Sequence, residues 1–188
     1  MLKNVILSAV ITACMLFVGS ANASLIYATS APSVVVGTGQ GTANDRDNIN
    51  NLFGSTDGKF YELGLGGSVD LQFGMPTGQL FGGEGFVTEV TFGNPGNFLE
   101  SADVYVGYQG IFTFVANIIN TGAQTGAQFT FGAPFDTLRI VDTTANLNTR
   151  SIGGFDIDSV AVSPVPAPAT VLLLGLVLVG LGARKIFK

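Results

Sequence analysis

The chain has 188 residues: 26 are Gly, 8 are Lys or Arg, 13 are Asp or Glu, one is Cys, and none is His or Trp. A chain without His and with one Cys cannot build a Ser-His or Cys-His catalytic pair, a Cys/His zinc site or an intrachain disulfide. All 13 acidic residues lie between Asp45 and Asp158, together with only four of the basic residues, so nucleic acid, whose phosphates need a basic surface, is excluded as a partner.

The first 23 residues have the pattern of a secretory signal peptide. Lys3 supplies the positive charge, an apolar stretch follows, and Ala21-Asn22-Ala23 is an A-x-A cleavage motif, which an uncleaved membrane anchor does not need. The sequence therefore predicts a signal-peptide helix, export through the Sec translocon, and cleavage after Ala23. Cys14 lies inside the apolar stretch, so the mature chain would contain no cysteine.

Residues 24–163 have the pattern of a single all-β domain. Short runs of β-branched and aromatic residues alternate with clusters of Gly, Asn and Asp, and no helical period is present. Such spacing predicts a jelly-roll-like β-sandwich. The predicted strands are 25–29, 33–36, 60–63, 68–73, 86–92, 102–108, 111–115, 129–131, 138–141 and 155–162.

Two further features of this region concern packing and turns. Most of the 15 Phe residues fall within it, and we interpret them as the core, because each buried ring removes a large apolar area from water. Gln109-Gly110 predicts a tight turn between two strands. The tandem tetrapeptides at 121–124 and 125–128 predict a flexible loop.

A polar loop and an acidic strand are candidates for a cation site. Asp45 and Asp47 lie in a run of Asn and Asp residues, and oxygen side chains at this density suit Ca²⁺. Asp156 and Asp158 are two residues apart in a predicted strand and so would share one face. One Ca²⁺ joining the strand to the loop would remove the repulsion between these carboxylates.

Each half of this candidate site has an alternative interpretation. The loop around Asp45 and Asp47 could be a polar loop stabilised by Asx turns. In the strand, one aspartate could face solvent while the other caps a turn. Arg139 and Arg150 are the nearest basic residues in the sequence that could pair with the two aspartates.

Catalysis would have to use carboxylates, as glycosidases do. The candidates are the Asp residues and Glu62, Glu84, Glu89 and Glu100, but none of them lies in a motif that indicates a raised pKa. The sequence therefore predicts a protein that is not an enzyme, with a carboxylate-dependent hydrolase as an alternative.

The C-terminal end has three parts in order. A Pro-rich motif, Val165-Pro166-Ala167-Pro168, precedes 15 apolar residues at 169–183, and a basic tail follows with Arg184 and Lys185. The apolar stretch is shorter than the ~20 residues of an ordinary spanning helix. It predicts a short transmembrane helix whose basic end stays in the cytoplasm. A plain membrane anchor is the alternative to a processed sorting signal.

This tail resembles the PEP-CTERM sorting signal of Gram-negative bacteria, with Ala167 in place of the usual Glu. The resemblance implies that the tail holds the exported chain in the inner membrane until an exosortase recognises and cleaves it. It also implies a final location at the cell surface or in the extracellular matrix.

The middle region resembles discoidin-type, galactose-binding-like jelly rolls as they occur in exported PEP-CTERM proteins. The segments that carry this resemblance are 60–73, 100–106, 138–142 and 154–160. The resemblance implies a jelly-roll fold, and such domains often bind a structural Ca²⁺ or sugars in the loops at one end.

Together these patterns predict three segments: a signal peptide at 1–23, a β-sandwich at 24–163 and a sorting signal at 164–188. The predicted function is that of a cell-surface or matrix component associated with exopolysaccharide, either structural or binding. A carbohydrate-binding module is the first alternative to a purely structural role.

Overall fold

A computed structural model describes residues 24–74, 81–91, 96–120 and 126–164. The predicted signal-peptide helix with Ala21 and Ala23, and the predicted transmembrane helix with the motif at 165–168, Arg184 and Lys185, lie outside the described residues. Among the residues that the structure does describe, no helix is long and apolar enough to cross a membrane.

The described residues form an all-β domain, which confirms the predicted fold class. Three short 3-10 helices, Ala43–Asp45, Ile49–Leu52 and Thr144–Asn146, lie in loops. The strands are β1 (Ile26–Tyr27), β2 (Ser30–Val35), β3 (Tyr61–Glu62), β4 (Ser68–Gln72), β5 (Phe81–Glu89), β6 (Ser101–Tyr108), β7 (Ile111–Ile119), β8 (Gly126–Phe135), β9 (Thr137–Asp142) and β10 (Asp156–Pro164).

The strands make two antiparallel sheets. One sheet has the order β1-β10-β5-β8, with β3 also pairing with β10, and the other has the order β2-β4-β9-β6-β7. Neighbours in these sheets are mostly distant in sequence, as β1 and β10 are, so the register depends on the complete fold. Residues Ser24–Val165 form one compact unit.

Three strands are longer than the hydrophobic pattern predicts. β5 begins at Phe81 instead of 86 because its glycines carry no apolar signal, yet Gly85 pairs with Phe129 and leaves room for that ring. β7 continues to Ile119 and β8 begins at Gly126. The prediction of a loop through 128 is therefore wrong for its last residues, which pair with β5.

Aromatic residues fill much of the space between the sheets. Phe135 is fully buried, and its ring lies 4.6 Å from that of Phe131 in an edge-to-face arrangement and 5.6 Å from that of Phe81. The Phe73 ring also belongs to this group, and its centre lies 5.3 Å from that of the Phe81 ring. The prediction that Phe forms the core is confirmed for seven buried residues: Phe60, Phe73, Phe81, Phe129, Phe131, Phe135 and Phe155.

A cross-strand ion pair stabilises the second sheet. Asp70 on β4 lies directly opposite Arg139 on β9, and the guanidinium donates two hydrogen bonds to the carboxylate, at 2.5 and 2.8 Å. The same guanidinium lies 3.8 Å from the centre of the Phe112 ring on β7. The side chain of Arg139 therefore contacts Asp70 and Phe112. The suggestion that it could pair with Asp156 or Asp158 is wrong.

Three glycines fix how the loops cross at one end of the domain. Gly64 has a φ of +76° and lies against the backbone of Gly37, while Gly154 approaches the backbone of Gly64 from a third segment. A Cβ atom at Gly37 or Gly154 would collide with main-chain atoms of Gly64. The three segments therefore pack backbone against backbone, which only glycine permits.

The tight turn predicted between β6 and β7 is confirmed. Gln109 and Gly110 have φ values of 52° and 79°, the positive pair that a two-residue hairpin turn of type I′ requires. Tyr108 precedes this turn and lies at the end of β6 opposite to Ser101.

Candidate functional site

Five carboxyl side chains gather at one end of the sandwich, and we call them the acidic cluster. All of them are less than a tenth exposed, which is unusual for ionisable groups. The members of the cluster are Glu62, Glu89, Glu100, Asp142 and Asp156.

The antiparallel pairing of the strands explains why these residues meet. β10 begins at Asp156, while its two antiparallel neighbours β3 and β5 end at Glu62 and Glu89. In the other sheet, β9 ends at Asp142 and Glu100 directly precedes its antiparallel neighbour β6. Strand ends that run in opposite directions lie side by side, so five distant positions converge.

Glu62 is paired with the polar loop that precedes β3. Its carboxylate accepts hydrogen bonds from the backbone N–H of Gly41 and, at 3.3 Å, from Nη1 of Arg46. The backbone N–H of Glu62 donates to the carbonyl of Arg46 at 2.8 Å. The loop therefore contributes one positive charge to the cluster, the guanidinium of Arg46.

Glu89 and Glu100 are neighbouring buried carboxyl groups, and each affects the pKa of the other. Thr91 Oγ1 donates to both Glu89 oxygens, at 2.6 and 2.7 Å, and Asn120 Nδ2 donates to Thr91 Oγ1 at 2.6 Å. The Asn120 Oδ1 atom accepts the backbone N–H of Glu100 at 2.7 Å, and Ser151 Oγ donates to Glu100 Oε1 at 2.6 Å. The pair is therefore fixed by a network of side chains from three separate segments.

Burial shifts the protonation of this pair strongly. Loss of hydration raises the pKa of Glu89 from 4.5 to about 7, although hydrogen bonds from Thr91, Glu100 and Asn120 act in the opposite direction. Burial likewise raises the pKa of Glu100 from 4.5 to about 8, and the nearby charges of Glu89 and Asp142 raise it further. Because both pKa values lie at or above neutrality, the pair holds at least one proton at neutral pH.

Asp156 and Asp142 differ sharply in how they are satisfied. Burial, followed by the charges of Glu100, Glu62 and Glu89, raises the pKa of Asp156 to about 10, and its Oδ1 atom has no hydrogen-bond partner. Asp142 instead accepts the backbone N–H groups of Gly66 and Phe155 and the hydroxyl of Thr144, at 2.6 to 2.9 Å. The cluster thus contains one fully bonded carboxylate, Asp142, and two oxygens without a hydrogen-bond partner, Asp156 Oδ1 and Glu100 Oε2.

The four aspartates predicted to bind a cation occupy different surroundings. Asp45 and Asp47 are exposed, and Arg46 between them makes the contact with Glu62. Asp158 accepts the backbone N–H groups of Asp57 and Gly58 at 3.1 and 2.9 Å, as the turn-capping alternative predicted. Asp156, however, is buried, so the expectation that the other aspartate faces solvent is wrong.

Within residues 24–74, 81–91, 96–120 and 126–164, no group of three or more His, Cys, Asp or Glu side chains is arranged to hold a metal ion. Calcium bound by Asp45, Asp47, Asp156 and Asp158 stays a prediction. The contacts of Asp158 with a turn show why it is a poor ligand candidate, because its carboxylate is already satisfied by two amides.

Two loops next to the acidic cluster expose side chains to solvent, and we call these exposed residues the loop surface. They are Asn97, Phe98, Asn148, Arg150 and Ile152, and the two loops are joined by a hydrogen bond from the backbone N–H of Arg150 to the carbonyl of Asn97 at 3.1 Å. Phe98 is 39% exposed and Ile152 is 77% exposed. Asn120 Nδ2 donates to the Phe98 carbonyl at 3.1 Å, so the network that holds Glu89 also positions this surface.

Comparisons with known proteins identify the tail and the fold. Residues 164–186 match the PEP-CTERM protein-sorting motif. The motif marks an exported protein that its tail anchors at the membrane until exosortase processing and that is then at the cell surface. A comparison with curated protein sequences finds no significant match.

Two solved structures share the fold at low sequence identity. The C-terminal domain of a chitobiase from Bacteroides fragilis has a TM-score of 0.57 at 9% identity, covering 76% of this chain and 98% of that one. The family 32 carbohydrate-binding module of EndoD from Streptococcus pneumoniae has a TM-score of 0.52 at 13% identity, covering 76% and 100%. The domain therefore shares the β-sandwich fold of these two structures, as the resemblance to galactose-binding-like jelly rolls implied.

Proposed function

We propose that this protein is a cell-surface or extracellular-matrix component that binds carbohydrate, in particular exopolysaccharide, through the loop surface. One observation carries the proposal: an exported chain with the fold of a carbohydrate-binding module exposes an aromatic ring and a guanidinium on two joined loops. The shared fold alone would be compatible with a purely structural role.

The chemistry of the loop surface suits a sugar. The half-exposed ring of Phe98 offers an apolar face on which the C–H face of a pyranose can pack. Arg150 is exposed and carries five N–H donors that can reach hydroxyl or carboxylate oxygens. Asn97 and Asn148 are exposed in the same two loops and add amide donors and acceptors.

The network beneath the surface is also relevant to recognition. Ser151 follows Arg150 directly and donates to Glu100, while Asn120 bonds to the carbonyl of Phe98. Both loops are thus attached to buried side chains. Loops that are held in place before binding lose less conformational entropy when a ligand arrives.

Binding can be tested with the full-length protein in mild detergent on a carbohydrate array that includes exopolysaccharide from the native host. Replacing Phe98 by Ala should weaken binding at least about tenfold, which corresponds to ~1.4 kcal/mol. Arg150→Ala should weaken it as well. Tyr108→Ala is the matched control, because Tyr108 is 44% exposed but lies at the opposite end of β6.

Two results would contradict the proposal. If the wild-type protein binds no carbohydrate on the array and no host polysaccharide, the binding role is wrong. If Tyr108→Ala weakens binding as much as Phe98→Ala does, the ligand lies elsewhere on the domain.

The proposed partners can be tested through the ends of the chain. We expect export by the Sec translocon with cleavage after Ala23, transient residence in the inner membrane, and exosortase cleavage near Pro168. Mass spectrometry of the protein from its native host should find Ser24 at the start and no peptide that contains Lys188. A protein that retains Lys188 would exclude processing.

The acidic cluster does not support the alternative of a carboxylate-dependent hydrolase. The two carboxyl groups of a glycosidase are about 5 Å or more apart so that the sugar can lie between them. Glu89 and Glu100 are only 2% and 7% exposed, and their side chains are bound by Thr91 and Ser151, so neither is presented to a substrate at the surface. We therefore assign this pair no catalytic role.

A further inference from the structure

The two sheets have four edges, formed by β1 with β3, by β8, by β2 and by β7, and three of them are poorly suited to pairing with another strand. β1 and β3 have two residues each. β2 contains Pro32, which has no N–H to donate, and its register against β4 shifts between Ser30 and Ser33. β8 contains Pro134. Short strands, prolines and bulges are the features that prevent unwanted edge pairing.

β7 is the fourth edge, and it is neither short nor interrupted by proline. It runs over nine residues, Ile111–Ile119, without a charged side chain, and within the described part of the chain it pairs only with β6. Ile111, Phe114 and Ile119 are 75%, 52% and 45% exposed. A long, apolar and uncharged edge strand is a site at which another strand can pair.

The sequence of β7 suits pairing with a second copy of itself. One extra residue, Val115, lies between the partners of Val104 and Tyr105 and divides β7 into two runs of four residues. Each run, 111–114 and 116–119, contains three apolar residues and one uncharged polar residue. In an antiparallel pair of identical strands, the first run of one copy lies beside the second run of the other. Apolar side chains therefore meet apolar side chains around a two-fold axis near Val115.

The charge distribution also favours this strand over the rest of the surface. The region from Asp45 to Asp158 carries 13 acidic and four basic residues, so two copies repel each other over most of their surfaces. β7 has no charge of its own, and Asp103 on the neighbouring strand accepts a hydrogen bond from Asn117 Nδ2 at 2.7 Å. The contact between two copies is therefore easiest along β7.

We propose that this protein forms a homodimer in which β7 of one copy pairs antiparallel with β7 of the other, which joins two five-stranded sheets into one continuous sheet. The dimer carries two loop surfaces, and its avidity for a long polysaccharide rests on the proposed function. The dimer itself does not, because its readout is the oligomeric state. A dimer that binds no carbohydrate would contradict the proposed function alone.

The test is sedimentation velocity of the full-length protein in mild detergent over a range of protein concentrations. In the antiparallel pair, residue 111 of one copy lies near residue 119 of the other. The double variant Ile111→Lys, Ile119→Lys places two ammonium groups together at each end of the contact and should raise the dissociation constant of the dimer at least about tenfold. Both positions are exposed, so the variant should fold, which circular dichroism checks.

A second double variant tests the direction of pairing. Ile111→Lys with Ile119→Glu should restore the dimer, because each ammonium group then meets a carboxylate of the other copy. A parallel pair gains nothing from this exchange, since it brings equal charges together. Val35→Lys with Val36→Lys is the matched control: both residues are 57% exposed at the β2 edge, and this variant should dimerise as the wild type does.

Three sedimentation results would overturn the proposal. The first is a wild-type protein that is monomeric at every concentration. The second is a variant with Ile111→Lys and Ile119→Lys that dimerises as strongly as the wild type, which would place the contact elsewhere, as in the C-terminal tail. The third is no recovery in the variant with Ile119→Glu, which would exclude the antiparallel pair.

Amide hydrogen exchange gives an independent readout of the same strand. Backbone amides of β7 should exchange more slowly at concentrations where the dimer forms than at concentrations where the protein is monomeric. Exchange that is equally slow at both concentrations would mean that another segment of this chain covers the edge, and the proposal would be wrong.

Discussion

The carboxyl pair Glu89–Glu100 makes the stability of the protein depend on pH in a direction opposite to that of ordinary carboxylates. The folded protein keeps a proton on the pair up to pH values of about 7 to 8, whereas the unfolded chain releases it near pH 4.5. Folding therefore takes up a proton between these limits. The stabilisation is complete below pH 4.5 and is lost as the pH rises through 7 and 8.

The magnitude follows from the number of protons. One proton bound only in the folded state changes the free energy of unfolding by about 1.4 kcal/mol per pH unit. Below pH 7 the folded pair carries two protons that the unfolded chain releases, so it should cost the protein roughly 5 kcal/mol between pH 5 and pH 7. Asp156, with a pKa of about 10, holds a third proton over the same range and makes the decline steeper.

The Glu100→Gln variant isolates the contribution of the pair. A glutamine amide can donate to Glu89 without any proton, so the slope of unfolding free energy against pH should become shallower by about 1.4 kcal/mol per unit. Urea unfolding at pH 5, 6 and 7 in EDTA measures both slopes, with circular dichroism as the signal because the chain has no Trp. Parallel slopes for wild type and variant would refute the shared proton, and a wild-type stability that rises with pH would refute the raised pKa values themselves.

Three further substitutions test the packing. Phe135→Ala should lower the free energy of unfolding by about 4 kcal/mol, measured by urea unfolding, because the ring is fully buried among other rings. Arg139→Ala should lower it by about 2 kcal/mol, since it leaves Asp70 unpaired and removes the contact with Phe112. Asp158→Ala should cost about 2 kcal/mol through the loss of two amide hydrogen bonds, and amide hydrogen exchange at the turn should become faster.

Exposed residues provide controls for these three variants. Phe114→Ala removes a ring that is half exposed and should cost far less than Phe135→Ala. Arg150→Ala and Asp47→Ala remove exposed charges and should leave stability nearly unchanged. Equal losses in a variant and its control would mean that the named contacts do not determine the effect.

The existence and order of the strands could be predicted from the sequence because short-range patterns determine them. Val69 and Leu71 on β4 are buried as predicted, and the turn at Gln109 and Gly110 is encoded by two residues. The extent of β5 could not be predicted, because Gly85 contributes no hydrophobic signal and becomes part of the strand only through Phe129 on a distant strand.

The acidic cluster was only partly predictable for a similar reason. Glu62, Glu89 and Glu100 were recognisable as carboxylates of interest, but their convergence depends on which strand ends are neighbours. The sequence predicts that Asp156 needs compensation for its charge, yet its strand partner is Glu62 rather than one of the loop aspartates. No local pattern indicates that Thr91, Asn120 and Ser151 hold the carboxyl pair, because these residues come from segments that only the complete fold joins.

The contact among Gly37, Gly64 and Gly154 has a consequence for how the sequence can change over evolution. At these glycines, main chain contacts main chain. Any residue with a Cβ atom would disturb this contact, so these positions cannot vary. Asn97, Phe98, Asn148 and Arg150 carry no such restriction, because they are exposed. Homologues could therefore acquire new ligand preferences by varying the loops while the glycine contact keeps the start of β10 in place.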